Sequence, residues 1–224
     1  MIQIKRFMCN PLQENCYVVS DDTQECVIID CGVLYQEEKD ALINYIREQH
    51  LHPVHLIATH GHIDHNFGNA ALYSEFALKV EVCGEDANLI EHLYEQAADL
   101  FGIQIEHSKA VVGRWLKHED TITFGHHTLK VLQTPGHTPG SALIYCEKEN
   151  TCFTGDTLFR MSIGRTDLDA RRRRCNGRGR GGSEHGRRCP NGKSACRFPN
   201  QPRGREALRL YKRQSGRPGG KDRS

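Results

Sequence analysis

The chain of 224 residues predicts a mixed α/β fold of the α+β type. Three observations predict it. Short apolar runs of strand length, such as Val54 to Ala58, recur between longer stretches whose apolar residues keep a helical spacing. Turn residues such as Asn10-Pro11, Asp21-Asp22 and Gly125-His126 punctuate them. A histidine or aspartate stands just beyond the end of three such runs, at His60, His137 and Asp156. One strand end of that kind means little; three argue for a single convergent site.

The elements follow in order. Ile2 to Phe7 alternates apolar and polar residues as a half-buried strand does, Cys16 to Ser20 resumes an extended pattern, and the strand Cys26 to Asp30 follows a hairpin turn at Asp21-Asp22. Asp30-Cys31-Gly32 closes the third strand, where glycine supplies a positive φ. Glu37 to Gln49 is an amphipathic helix with Leu42, Tyr45, Ile46 and Gln49 on one face and acidic residues at its start. The apolar strand after Pro53 comes next, then a helix over Asn66 to Phe76, a strand over Leu78 to Val82, and a helix over Glu85 to Phe101. Residues 103 to 118 show no clear period, and Trp115 and His118 receive no role. Asp120 to Phe124 and Thr128 to Gln133 form a hairpin, with His126 and His127 solvated at its turn. Ser141 to Cys146 and Cys152 to Thr154 are the last two strands.

The densest chemistry is Thr59-His60-Gly61-His62-Ile63-Asp64-His65-Asn66. Imidazole and carboxylate donors suit a divalent ion of zinc type. The strand delivers His60 and His62 into the loop at its end, and Asp64 and His65 fall on the first turn of the following helix. Two pairs of donors then point at two neighbouring positions, about 3.5–4 Å apart in two-metal sites. His50, His52 and His55 lie outside this spacing and read as ordinary loop or surface residues.

His60-x-His62-x-Asp64-His65, Thr134-Pro135-Gly136-His137-Thr138-Pro139-Gly140 and Phe153-Thr154-Gly155-Asp156-Thr157-Leu158-Phe159 together resemble, in this order, the metallo-β-lactamase fold superfamily. The similarity is nearest to its small glyoxalase II-like hydrolases and extends from Met1 to about Asp169. The resemblance implies a four-layer αββα sandwich, incomplete at its C-terminus. It implies two Zn²⁺ ions, the first held by His60, His62 and His137, the second by Asp64 and His65, with Asp156 shared. Asp30 would support the site from behind. Asp64 is the expected catalytic residue, and Arg165, in the loop Ser162 to Leu168, either meets an anionic substrate or holds that loop. The implied reaction is hydrolysis of a hydroxyacyl thioester, in which zinc lowers the pKa of its water to about 7 and so supplies hydroxide to the carbonyl carbon. The alternative is an iron-dependent sulfur dioxygenase on the same fold, with His60, His137 and Asp156 as its ligands.

Charge divides the chain. Residues 1–169 carry 12 Lys+Arg against 25 Asp+Glu, while 170–224 carry 18 against 3. The first part reads as the metal hydrolase domain. The second holds fifteen Arg and ten Gly but no Val, Ile, Met or Trp, which leaves too little apolar surface to offset the entropy of ordering it. It is read as translation out of frame, or as a disordered basic arm that binds nucleic acid; in either case the last histidine ligand of the family is missing, since His185 does not match. A non-catalytic fragment with a nucleic-acid-binding tail is therefore the reading from a different class. Seven of the ten cysteines lie before residue 170, and they fit reduced thiols of a cytoplasmic protein. No apolar run approaches 18 residues, so no membrane span is expected.

Overall fold

The computed structural model describes residues 1–105, 111–159 and 161–166. A six-stranded sheet runs in chain order: β1 (Gln3–Cys9), β2 (Glu14–Ser20), β3 (Glu25–Ile29), β4 (His52–Ile57), β5 (Val80–Cys83) and β6 (Val112–Leu116). The first three strands pair antiparallel, and the ladder from β3 to β6 is parallel. A second, antiparallel sheet has the order β10-β9-β8-β7, built from β7 (Thr121–Phe124), β8 (His127–Gln133), β9 (Ala142–Cys146) and β10 (Thr151–Phe153).

Strand β3 shows how the sequence sets the layers. Cys26 and Ile28 face one core, while Val27 and Ile29 face the other. The period of two sends alternate residues to opposite faces, so a strand buried on both sides must be apolar throughout. The first core lies under the helices α1 (Gln36–Glu48), α2 (Asn69–Phe76), α3 (Ala87–Glu91) and α4 (Leu93–Phe101), which contribute Leu42, Ile46, Leu72, Ile90, Leu93 and Ala97. The second lies between the sheets, where Val19, Ile57 and Leu116 meet Phe124, Leu129 and Ile144. Helix α1 begins where Glu38 accepts the backbone N–H groups of Leu34 (2.8 Å), Tyr35 (3.2 Å) and Asn10 (2.8 Å), so one carboxylate starts the helix and fastens the β1–β2 turn to it. Among the described residues, all four helices contribute to the first core and none to the second, which accounts for three of the four expected layers.

Four details differ from the sequence reading. The positive φ after β3 belongs to Asp30 (φ 55°), while Gly32 is needed for room: a Cβ there would sit 2.2 Å from Glu14 Oε2 and 2.3 Å from the Asp64 carbonyl oxygen. The helix expected over Glu85 to Phe101 is broken at His92, because the Gln96 amide takes the Leu89 carbonyl (2.7 Å) and His92 N–H bonds the same oxygen three residues back. The metal-loop helix starts late; Ile63–His65 is a 3₁₀ turn and α2 begins at Asn69. His127 is buried, although His126 beside it is exposed. The stretch that showed no period contains β6, with Trp115 half-exposed on it. Residues 167–224, including Asp167, His185 and the proposed tail, lie outside the described residues. The seven described cysteines are free thiols, and among the described residues no helix is long and apolar enough to cross a membrane.

His127 is buried because two turns close on it. Its Nδ1 lies 2.8 Å from Asp21 Oδ2 and its Nε2 2.9 Å from Glu149 Oε1. Asp21 also accepts from Thr23 N and Oγ1 and from His126 N, which ties the β2–β3 turn to the β7–β8 turn across the two sheets. Burial works to raise the Asp21 carboxyl, but the bonds from Thr23, His126 and His127 outweigh it and hold it below the usual carboxylate range. Asp21→Asn should cost about 2–3 kcal/mol at pH 7, since an amide cannot accept at every one of these positions. A carboxyl more acidic folded than unfolded contributes fully above about pH 5 and loses that contribution as pH falls below about 4. Urea unfolding at pH 7 and pH 3 checks both points: the gap between wild type and variant should narrow at the lower pH, and a constant gap would contradict the assignment.

Candidate metal centre

Strand β4 ends at Ile57, and Thr59 turns the chain into the histidine loop. The Thr59 N–H and Oγ1–H both donate to Asp30, at 2.7 and 2.8 Å, which pins the end of β4 to the end of β3. With its proton committed to Asp30, the Thr59 hydroxyl accepts from His60 Nδ1 (3.1 Å). That bond sets the tautomer and leaves the Nε2 lone pair of His60 facing the site. His137 is held in the same way: its Nδ1–H donates to the Arg165 carbonyl oxygen (2.8 Å), so Nε2 faces inward. Asn66 fixes the loop between them by donating to the carbonyls of His60 (3.0 Å) and His62 (2.6 Å).

Three nitrogens therefore converge. His60 Nε2 lies 3.1 Å from His62 Nδ1, which lies 2.9 Å from His137 Nε2. Metal–nitrogen bonds of about 2.0–2.1 Å in a tetrahedral site separate neighbouring nitrogens by roughly 3.3 Å, close to this spacing. Burial first, and then the neighbouring His65, His62 and His137, push the His60 imidazole well below its ordinary range, so it is neutral and free to donate its lone pair. The donor set and its spacing fit one divalent ion.

A second group adjoins the first. Asp156 follows β10 in a 3₁₀ turn, Gly155–Thr157, and its Oδ1 lies 3.3 Å from His65 Nε2 while Oδ2 lies 3.3 Å from His137 Nε2. His60, His65 and Asp156 again bring one donor atom each within 4.8 Å. Asp64 Oδ2 is 3.6 Å from His65 Nε2. Behind the ring, His65 Nδ1 faces Asp30 Oδ2 at 3.0 Å and Glu14 Oε1 at 3.7 Å. Four carboxylates thus surround one buried imidazole. Burial works to lower His65, but the field of Asp30, Asp156 and Asp64 outweighs it and holds the ring well above its usual range. Burial raises the Asp64 carboxyl, and it drives Glu14 up to about 10. Burial also works to raise Asp156, yet the bond and charge of His65 hold it below the usual range. Both Glu14 oxygens and His65 Nδ1 lack a hydrogen-bond partner of good geometry. Buried donor and acceptor atoms left unsatisfied within an acid-rich cluster fit a site that receives cations. A cavity of about 330 Å³ opens here, between Asp64, His65 and Asp156 and an apolar wall that includes Tyr17, Phe153 and Phe159.

All six residues singled out as ligands, His60, His62, Asp64, His65, His137 and Asp156, lie in these two adjoining groups. Arg165 is exposed, and its carbonyl oxygen orients His137. Glu14, Gln96 and Asp86 were not singled out. Gln96 holds the loop from α4, accepting from Ile63 N (3.2 Å) and donating to the Gly61 carbonyl (3.2 Å).

A six-stranded mixed sheet stacked on an antiparallel one, with histidines and aspartates gathered at strand ends, defines a two-sheet sandwich that carries a candidate metal centre. The sequence matches the metallo-beta-lactamase superfamily over residues 9–204, and the chain belongs to that superfamily. The match runs on beyond Asp169, where the resemblance read from the sequence stops. Hydroxyacylglutathione hydrolase GloC of Haemophilus influenzae is 35% identical over 158 residues, 70% of this chain and 72% of its own length. The probable metallo-hydrolase YqgX of Bacillus subtilis is 31% identical over 166 residues, 73% and 75% of the two chains. Among solved structures, the BLEG-1 B3 metallo-beta-lactamase superposes with a TM-score of 0.66 at 35% identity, covering 74% of this chain and 78% of that one. TTHA1623, solved in a di-iron-bound form, superposes with a TM-score of 0.62 at 32% identity, covering 73% and 77%.

His62→Ala should weaken zinc binding by more than about tenfold, the lower end of what losing even an outer partner of a ligand costs. His126→Ala, at an exposed turn, should leave it unchanged. Competition with a chromophoric chelator measures both, and equal losses would show that His62 is not a ligand.

Proposed function

We propose that this metallo-hydrolase cleaves hydroxyacyl thioesters of the glutathione type into a carboxylic acid and a thiol. The observation that carries the reading is Asp156, whose two oxygens face His65 and His137, so that two ion-accepting groups share one carboxylate beside a cavity. The relative GloC, named as a hydroxyacylglutathione hydrolase, supports the substrate class. His60, His62 and His137 would hold the first ion, and Asp64 and His65 with Asp156 the second. When bound, such ions lower the pKa of water to about 7 and polarise a carbonyl oxygen.

The chain's own residues do the rest. Thr59 and the Arg165 carbonyl hold His60 and His137 in the tautomers that present Nε2. Asp64 faces the cavity and is the proposed site where the proton released by hydrolysis is held. The apolar wall limits the water that reaches the acyl carbon. A thiolate leaves without a strong general acid, so no further proton donor is required at the leaving atom. The exposed Arg165 is proposed to meet an anionic part of the substrate.

The zinc-loaded full chain should release free thiol from a hydroxyacylglutathione. A chelator should abolish the release, and added Zn²⁺ should restore it. Oxygen uptake with glutathione persulfide by the iron-loaded chain, without thioester cleavage, would assign the dioxygenase reaction instead.

A further inference from the structure

Asp86 belongs to none of the three motifs, yet it joins two of them. It ends the 3₁₀ turn Gly84–Asp86 that follows β5, and it is completely buried. Its Oδ2 accepts the Gly61 N–H (2.8 Å) and the Thr138 hydroxyl (2.7 Å), and its Oδ1 accepts the Gly140 N–H (2.7 Å). Gly61 lies between His60 and His62, while Thr138 and Gly140 follow His137. The carboxylate therefore spans two loops whose histidines are 75 residues apart in sequence.

The two glycines are there for space. Neither has a positive φ, but a Cβ on Gly61 would lie 2.7 Å from Leu89 Cβ and 3.1 Å from Asp86 Cβ, and a Cβ on Gly140 would lie 2.7 Å from Asp86 Cγ. Both backbones are thus drawn onto one side chain. Burying a carboxylate costs several kcal/mol unless donors replace its water. Three donors do so here, and an acceptor-only group is required because an amide would turn its NH₂ toward one of them.

We propose that Asp86 is a positioning residue for the first ion: it sets the distance between the nitrogens of His60 and His62 on one loop and that of His137 on the other. The inference rests on reading these three histidines as ligands. Its bonds to the Gly61 and Gly140 N–H groups carry this effect through the backbone of the two loops.

The test uses the full chain and Co²⁺ as the probe, followed by visible absorption. Asp86→Asn should weaken Co²⁺ binding by about 10- to 100-fold, the range seen when outer partners of metal ligands are lost, and should shift the absorption bands of the bound ion. Thr138→Val should move both in the same direction by less, and Thr138→Ser, which keeps the hydroxyl, should behave as wild type. A purely structural tie would lower the thermal midpoint of the metal-free variants while leaving affinity and bands at wild-type values, and that result overturns the proposal. If Asp86→Asn does not fold, Thr138→Val against Thr138→Ser decides: equal affinity and equal spectra overturn it. A wild-type chain that takes up no Co²⁺ overturns the ligand reading and this inference with it. A wild type that loads beside variants that load identically overturns this inference alone.

Discussion

Toward their carboxyl ends, strands β3, β4 and β5 of the parallel ladder are covered on both faces, by helices on one side and by the second sheet on the other. A polar side chain placed inside such a strand faces a core whichever way it points, and an unpaired one costs several kcal/mol. Glu81 on β5 is the exception, and it is met by His55 and Arg114 from the neighbouring strands. Elsewhere the chemistry is confined to the carboxyl ends, where the strands leave the sheet. Asp30 follows β3, His60 follows β4 and Asp86 follows β5. The second sheet adds His137 and Asp156 in the same way. Convergence of the site is thus a consequence of how the ladder is buried.

The two candidate ion positions are electrostatically unlike. The first is a ring of imidazoles in which His60 is kept neutral by burial and by its neighbours. The second is acid-rich, with Glu14, Asp30, Asp64 and Asp156 around His65. Imidazole sets accept zinc, iron and copper alike, whereas carboxylates widen the choice toward harder ions. The outer partners sharpen this contrast. Asp30 acts on both positions at once, through Thr59 on His60 and directly on His65. A change at Asp30 would therefore disturb the tautomer of one ring and the charge balance of the other.

Much of this was legible because it is local. The spacing His60-x-His62-x-Asp64-His65 and the strand before it lie within a dozen residues, and period and motif could both be read there. What stayed hidden depends on partners far along the chain. His127 reads as a turn residue until Asp21, 106 residues before it, closes over it. Asp86 looks like an ordinary helix-start acid, and its value lies in bonds to Gly61 and Gly140. Glu14 sits in a strand and shows its role only when β2 pairs with β3 and brings it behind His65. The break at His92 came from a side chain, Gln96, competing for a helical carbonyl, which propensity does not register. Strand β6 was unreadable because its outward residues, Gly113, Arg114 and Trp115, show no alternation.

The close approach of Gly61 and Gly140 to Asp86 also bears on how this centre can change over generations. A methyl group at either glycine meets the Asp86 region at well under 3.5 Å, and a longer acid at 86 would meet both backbones. None of the three positions has room to drift alone. They form one inherited unit, and variation in the superfamily's metal loops should enter through exposed residues beside them, such as Pro139, before it reaches this trio.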